Sequence, residues 1–325
     1  MMIREILPAI YLISVPLPRN PLKALNSYLI KGHNRHLLID TGFHQTECRD
    51  ALLAGLREAN VELSEIDYFI THVHGDHSGL VCELAMEESK VYCSQTDAEI
   101  LQATMGREYW REIDEFFKRH GFPVLRTRDA GNRVQGYISG SDMNFTFVDE
   151  GYELKIAQYN LTCVMTPGHS PGHVCLYEPS QKLLFAGDHI LGDISPNITA
   201  WPEMEDSLGE YLQSLEKINQ LDINLVLPGH RSLISDHQSR IIELKEHHWQ
   251  RLAETLLILE NGPLNAYQIA GQMKWDLSYD DWEQVPPFQK WFATGEAIAH
   301  LEYLVHRNYL DKTEQADYIF YKLSE

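Results

Sequence analysis

Nowhere in this chain do five or six like charges stand in a row, and neither a Cys-x-x-Cys pair nor a P-loop pattern occurs. No segment approaches the roughly eighteen apolar residues that a membrane-spanning helix needs. Without a P-loop, a glycine-rich cradle for nucleotide phosphates is not expected. The five cysteines, Cys48, Cys82, Cys93, Cys163 and Cys175, are an odd and scattered set. They read as reduced, mostly buried thiols of a cytoplasmic protein rather than as a disulfide framework. Basic residues are also scarce, with 27 Lys and Arg against 47 Asp and Glu and a formal net charge of −20. So acidic a surface repels phosphate backbones, which disfavours nucleic acid as a partner, and it disfavours adhesion to anionic membranes. The apolar N-terminal stretch mixes Arg4 with Glu5, is interrupted by Pro8 and leads to no small-x-small cleavage site. A first β-strand is expected there rather than a signal peptide.

With 44% hydrophobic residues, the 325-residue chain can build one large domain or a large and a small one. Up to about residue 235, strand-like and helix-like patterns interleave. Strands are expected at 6–15, 27–30, 36–39, 67–71, 91–94, 145–148, 154–156, 161–165, 174–177, 183–186 and 223–227, and helices at 45–59, 97–120 and 206–220. Such interleaving predicts stacked α and β layers. From about 235 the texture changes to long helical patterns at 236–260 and 294–306, with a terminal strand at 318–323. This arrangement suggests a winged-helix module. From residue 240 onward eight Lys and Arg face fourteen Asp and Glu, a net of about −6. That balance lacks the basic footprint of a DNA reader. The segment is expected to pack on the main domain, wall its cleft or support a homodimer.

The most informative run is Thr71-His72-Val73-His74-Gly75-Asp76-His77-Ser78-Gly79. Imidazole and carboxylate are the ligands of zinc-like ions, and four of them fall here within six positions. On an extended segment His72 and His74 point to one side, and a turn at Gly75 can bring Asp76 and His77 to a second ion. The bland alternative is a polar loop after a strand, but it leaves the density of ligands unexplained. Three further candidates stand where β-rich runs break at Gly or Pro. They are His169 in Thr-Pro-Gly-His-Ser-Pro-Gly-His, Asp188 in Ala-Gly-Asp, and His230 in Leu-Pro-Gly-His. Each alone reads as a hydrogen-bonded structural residue; together they read as a loop-borne site.

These motifs, in this order, resemble those of the metallo-β-lactamase-fold hydrolases, and the resemblance covers about residues 5–235. It implies an α/β fold, an αββα sandwich, with a small helical winged-helix domain after 235. That extension resembles the one carried by lactamase-β-like thioesterases and endoribonucleases, a glyoxalase II-like branch. The resemblance also implies two divalent metal ions, with zinc favoured and iron or manganese as alternatives. One would be held by His72, His74 and His169, the second by Asp76, His77 and His230, with Asp188 bridging. Asp40, in Leu-Ile-Asp-Thr-Gly, matches the family's ligand-orienting aspartate, and His173 is expected in a supporting place. Arg231 departs from the small residue that many members carry there, and it stands as a candidate contact for a substrate carboxylate or phosphate.

The chemistry expected of such a centre is attack by hydroxide, formed from a water of lowered pKa, on an ester, thioester or lactone. Asp76 and Asp188 are the expected catalytic carboxylates, and no covalent intermediate is expected. The alternative is a metal-dependent endoribonuclease or phosphodiesterase, against which the acidic balance argues. A flavodiiron-type redox protein would carry Glu where His74 stands, and a metal-free binding protein would have lost ligands that are all present. A secreted β-lactamase would lack the C-terminal extension. Tyr109, Trp110, Phe116, Phe117 and Trp201 are candidate walls of a cleft for an acyl or aromatic group, although most are expected to pack a helix on the core. Tyr28 and Tyr177 are candidate oxyanion donors.

Overall fold

Two β-sheets lie face to face with helices on their outer sides in the computed structural model of the chain, which describes residues 3–123, 143–276, 279 and 281–324. The first sheet runs in chain order through β1 (Ile3–Leu7), β2 (Ile10–Pro16), β3 (Ala24–Lys31), β4 (His36–Ile39), β5 (Ile66–Phe69), β6 (Val91–Ser94) and β7 (Phe145–Val148). It is antiparallel from β1 to β4 and parallel from β4 to β7. The second sheet is built from β8 (Glu153–Ile156), β9 (Tyr159–Met165), β10 (Val174–Glu178), β11 (Leu183–Gly187) and β12 (Leu225–Pro228), in the spatial order β12-β11-β10-β9-β8. Only its β11–β12 pair is parallel.

Period-two alternation divides the strand residues between layers. From the first sheet Tyr28, Ile30, Leu37, Ile39 and Phe69 meet Leu161, Cys163, Leu176 and Phe185 of the second in the inter-sheet core. The alternate residues Leu29, Leu38 and Tyr68 pack outward against Leu52 and Leu56 of α1 (Thr46–Glu58) and Leu101 of α4 (Gln95–Thr104). Strand β4 is buried on both faces, which is why Leu37, Leu38 and Ile39 follow one another in it. Two one-turn helices, α2 (Gly75–Ser78) and α3 (Val81–Leu84), lie between β5 and β6. Helix α5 (Arg107–Arg119) follows α4.

The outer face of the second sheet is covered by α6 (Ser207–Asn219) and by the C-terminal helices α7 (His237–Leu259), α8 (Ala266–Ala270) and α9 (Pro287–His306). Leu208, Leu215, Leu244, Leu252, Ile298 and Leu301 share one buried cluster with Ala186 and Val226. An α/β sandwich with a C-terminal helical addition is therefore the observed architecture. Among the described residues no helix is long and apolar enough to cross a membrane.

Three elements differ from the sequence expectation, each for a local reason. The strand expected at 6–15 is a hairpin, because Pro8 lacks an N–H and Ala9 turns back at φ 64°. The helix expected at 97–120 is two helices, broken where Gly106 is extended at φ −88° and ψ 145°. The terminal strand is half of a hairpin, β13 (Leu310–Gln315) with β14 (Tyr318–Leu323). Its two-residue turn, Ala316-Asp317, has positive φ at both positions, as a type I′ turn requires, without the Asn-Gly that usually announces one.

Candidate metal centre

Every side chain picked out as a ligand hangs from a loop that leaves the C-terminal end of a strand. His72, His74, Asp76 and His77 follow β5, His169 follows β9, Asp188 follows β11 and His230 follows β12. Asp40 follows β4. The turn expected at Gly75 is the single helical turn α2, closed by the His77 N–H donating to the His74 carbonyl at 3.0 Å.

The structure brings all seven candidates together. Donor atoms of His72, His74 and His169 lie within 4.8 Å of one another, and so do those of Asp76, His77 and His230. Asp188 spans the two groups. Its Oδ1 is 3.4 Å from His77 Nε2, and its Oδ2 is 3.5 Å from His230 Nε2 and 3.7 Å from His169 Nε2. Asp76 Oδ2 stands 3.3 Å from His230 Nε2.

The outer nitrogens of four rings settle what the inner ones can do. His77 Nδ1 faces Asp40 Oδ2 at 2.7 Å, His169 Nδ1 faces the Asn197 carbonyl at 2.9 Å and His230 Nδ1 faces the Ala24 carbonyl at 2.8 Å. His72 Nδ1 faces Thr71 Oγ1 at 3.0 Å, and that hydroxyl already spends its proton on Asp40 Oδ2. Each outer partner accepts, so each Nδ1 carries the hydrogen and Nε2 is the atom turned inward, bare in any ring that is neutral. His74 presents Nδ1 instead, 3.0 Å from His72 Nε2 and 2.9 Å from His169 Nε2. While the rings are neutral, at most one hydrogen, on His74 Nδ1, is available among these three nitrogens. At least two lone pairs therefore remain crowded together unless a positive charge sits among them. Asp188 Oδ1 is also buried without a hydrogen-bond donor. The donor set therefore fits cations of the zinc class, held by imidazole and carboxylate.

Charge in the pocket tells the same story. Burial, followed by the neighbouring rings, drives the His72 pKa well below its usual value. Burial drives that of His74 down to about 3. For His77 burial works in the same direction, but Asp188, Asp40 and Asp76 together overcome it and raise the ring well above its usual value. Burial would raise Asp76, yet His77 and His230 hold it down at about 2. The carboxylates thus demand positive charge from the cluster.

Supporting residues brace the cluster, and one of them carries no motif signal. Asp97, near the start of α4, is buried, and its carboxylate accepts from Val73 N at 2.8 Å, Ser170 Oγ at 2.6 Å and Gly172 N at 2.6 Å. It thereby ties the His72–His77 loop to the His169 loop across the two sheets. Nothing in its local sequence points to this, since a Ser-x-x-Asp start reads as an ordinary helix cap. His173 accepts the Asp188 N–H on Nε2 at 3.2 Å and faces Thr166 Oγ1 with Nδ1, so it positions the backbone of Asp188. At Gly229 a Cβ would stand 2.7 Å from both Asp188 Oδ1 and His77 Cε1, so only glycine lets the His230 loop approach.

Other candidates fall outside the cluster. Tyr28 and Tyr177 spend their hydroxyls on the carbonyls of Pro228 and Asp222. Arg231, at φ 67°, donates through Nη2 to the Pro21 carbonyl at 2.9 Å. Residues 168–172 spell Gly-His-Ser-Pro-Gly, the nucleophile-elbow pattern, but they join two antiparallel strands rather than a strand to a helix. Ser170 is buried, with its hydroxyl held by Asp97, so it is a brace and not a nucleophile.

A family profile described as "Metallo-beta-lactamase superfamily" matches residues 22–230, and one described as "Metallo-beta-lactamase-like, C-terminal domain" matches residues 282–322. A Caenorhabditis elegans protein named Beta-lactamase-like protein 2 homolog is 27% identical over 256 residues, which is 78% of this chain and 71% of that protein. The Atrochrysone carboxyl ACP thioesterase of Emericella nidulans is 25% identical over 244 residues, 75% of this chain and 63% of that one. Among solved structures, a metallo-beta-lactamase family protein from Thermus thermophilus superposes with a TM-score of 0.83 at 29% identity. That match covers 98% of this chain and 100% of the other. A beta-lactamase domain protein from Burkholderia ambifaria gives 0.82 at 23% identity, covering 99% and 93%.

Proposed function

Because the chain belongs to the metallo-beta-lactamase superfamily of hydrolases, we propose that its seven-ligand cluster is a dinuclear centre, with zinc as the natural metal, hydrolysing an ester, thioester or lactone. The observation that carries this reading is the set of four Nε2 atoms turned inward around Asp188, each fixed by an outer partner on Nδ1. His72, His74 and His169 would hold one ion and Asp76, His77 and His230 the other, with Asp188 shared. Bound there, two cations supply Lewis acidity for a carbonyl and lower the pKa of water from about 15.7 towards neutrality. The protein's own part is to hold that geometry and move one proton. Asp76, ionised at neutral pH, accepts the proton of the attacking water and passes it to the departing sulfur or oxygen. Asp40 keeps His77 in the tautomer that points Nε2 inward.

The thioesterase named among the relatives supports a thioester as one of the bonds cleaved. We also read residues 1–235 as the catalytic domain and 236–325 as a winged-helix-like C-terminal domain. Its fifteen acidic residues, against eight basic ones, argue against nucleic acid as its ligand. Five free cysteines support a reducing, cytoplasmic setting.

The test is metal analysis of the purified protein, followed by assays of metal-free and zinc-loaded protein on thioesters, esters, lactones and single-stranded RNA. Two bound ions per chain, acyl-bond hydrolysis that appears on loading, and its loss of about 100-fold or more in Asp76→Ala are expected. Cleavage of RNA alone, or activity indifferent to Asp76, would refute the reading.

A further inference from the structure

Beside the donor cluster lies a recess of about 510 Å³, its mouth included, lined by fourteen residues. His74 is among them, with Tyr109, Trp110 and Phe117 of α5, Trp201 of the loop after β11, and Trp291 of α9. None of the fourteen is Asp, Glu, Lys or Arg, in a chain where those types make up 23% of residues.

Several polar atoms of the walls are already engaged within the protein. Trp201 stacks on the His74 ring, with centroids 5.8 Å apart and planes at 27°, and its Nε1 is spent on the His169 carbonyl at 3.1 Å. Trp110 Nε1 donates to the Thr104 carbonyl at 2.7 Å, and the Thr104 hydroxyl donates to the Leu101 carbonyl at 2.7 Å. Trp291 stacks on Phe117 at 4.6 Å and 24°. Aromatic faces favour flat, uncharged partners, which bury area and stack at once. Of the five aromatics expected to wall a cleft, four line this recess, whereas Phe116 packs against His120.

From this we propose that the recess binds an uncharged aromatic ring system on the acyl side of the substrate, placing the adjoining carbonyl beside His74. The inference rests on the hydrolytic reading and narrows its substrate class to arylacyl esters and thioesters. In the reaction the elements of water divide across the acyl bond. Hydroxyl goes to the acyl carbon and a proton to the departing sulfur or oxygen, releasing an aryl carboxylic acid and a thiol or alcohol. Trp201 is the hinge between chemistry and recognition, since one indole touches the ring of a ligand histidine and walls the recess.

Two measurements on the zinc-loaded protein test the proposal. The first compares kcat/KM for 2-naphthylacetyl and acetyl thioesters of N-acetylcysteamine, whose reacting carbonyls are alike. The ratio should exceed ten in the wild type and fall at least fivefold, through KM, in Trp291→Ala and in Phe292→Ala. It should stay in place in Tyr309→Ala, at an exposed position outside the recess. The second titrates 2-naphthylacetamide, neutral and not a substrate, against tryptophan fluorescence, with acetamide as the blank. Saturable binding of the naphthyl compound, weakened in Phe292→Ala, is expected. If the acetyl thioester is hydrolysed but the amide does not bind, or the ratio is near one, the recess proposal is overturned and the hydrolytic reading stands. If the amide binds but no acyl bond is cleaved, the aromatic recess stands and the hydrolytic reading is the one lost.

Discussion

Asp40 shows how much of a metal site is decided by a residue that need not touch the metal. Its carboxylate accepts the Thr71 N–H at 2.9 Å, the Thr71 hydroxyl at 2.8 Å and the His77 ring at 2.7 Å, while its own backbone sits at φ 60°. Asparagine tolerates that left-handed conformation and keeps the shape, so Asp40→Asn isolates the carboxylate from backbone strain. Zinc affinity should fall about 10- to 100-fold, as for other partners that hold a metal-binding histidine, while circular dichroism stays unchanged. Competition with a chelating dye measures it, and an unaltered affinity would remove Asp40 from this role. The sequence made the seven candidate ligands and Asp40 readable because each stands in a short motif at a strand end. Asp97 was not readable, because its three donors come from residues 24 to 75 positions away and only the folded chain collects them.

At the level of elements, α9 reaches the centre without supplying a ligand. Its Glu296 is buried and accepts from Asn197 Nδ2 at 2.7 Å, while the Asn197 carbonyl takes the Nδ1 hydrogen of His169 at 2.9 Å. Glu296→Ala should therefore weaken zinc binding several-fold, and Glu296→Gln, whose carbonyl can accept the same hydrogen bond, should restore it. Titration of zinc into metal-free protein separates this from a general loss of stability, and equal weakening by both changes would sink the idea. The sequence showed α9 only from residue 294, by its apolar spacing; Pro287 as an opening residue gave an earlier start that periodicity could not see. The strands of the β4–β7 run were legible as short β-rich blocks, but their parallel pairing and the hairpins at Ala9 and Ala316-Asp317 were not. Those turns depend on positive φ at residues that do not advertise it.

For the molecule as a whole, acid sensitivity follows from histidines buried far from the ligands. Burial pushes His120 and His300 down to about 3, against an ordinary value near 6.5. Between those values the unfolded chain takes up protons that the folded one refuses. Their stabilisation is thus complete above pH 6.5 and is lost as pH falls, by up to about 1.4 kcal/mol per pH unit for each ring. Urea denaturation of metal-free protein from pH 7 to pH 4.5 should show the slope, and His120→Phe should flatten it by one ring's share. An identical slope in that variant would contradict the assignment. Three of the candidate ligand loops leave the second sheet, and the fourth, with Asp40 behind it, leaves the first. Cations held between them would rivet the two halves of the sandwich along one rim. The opposite rim, with no such fastening, is then where the halves would part first, and a chelator would free the riveted side to breathe as well.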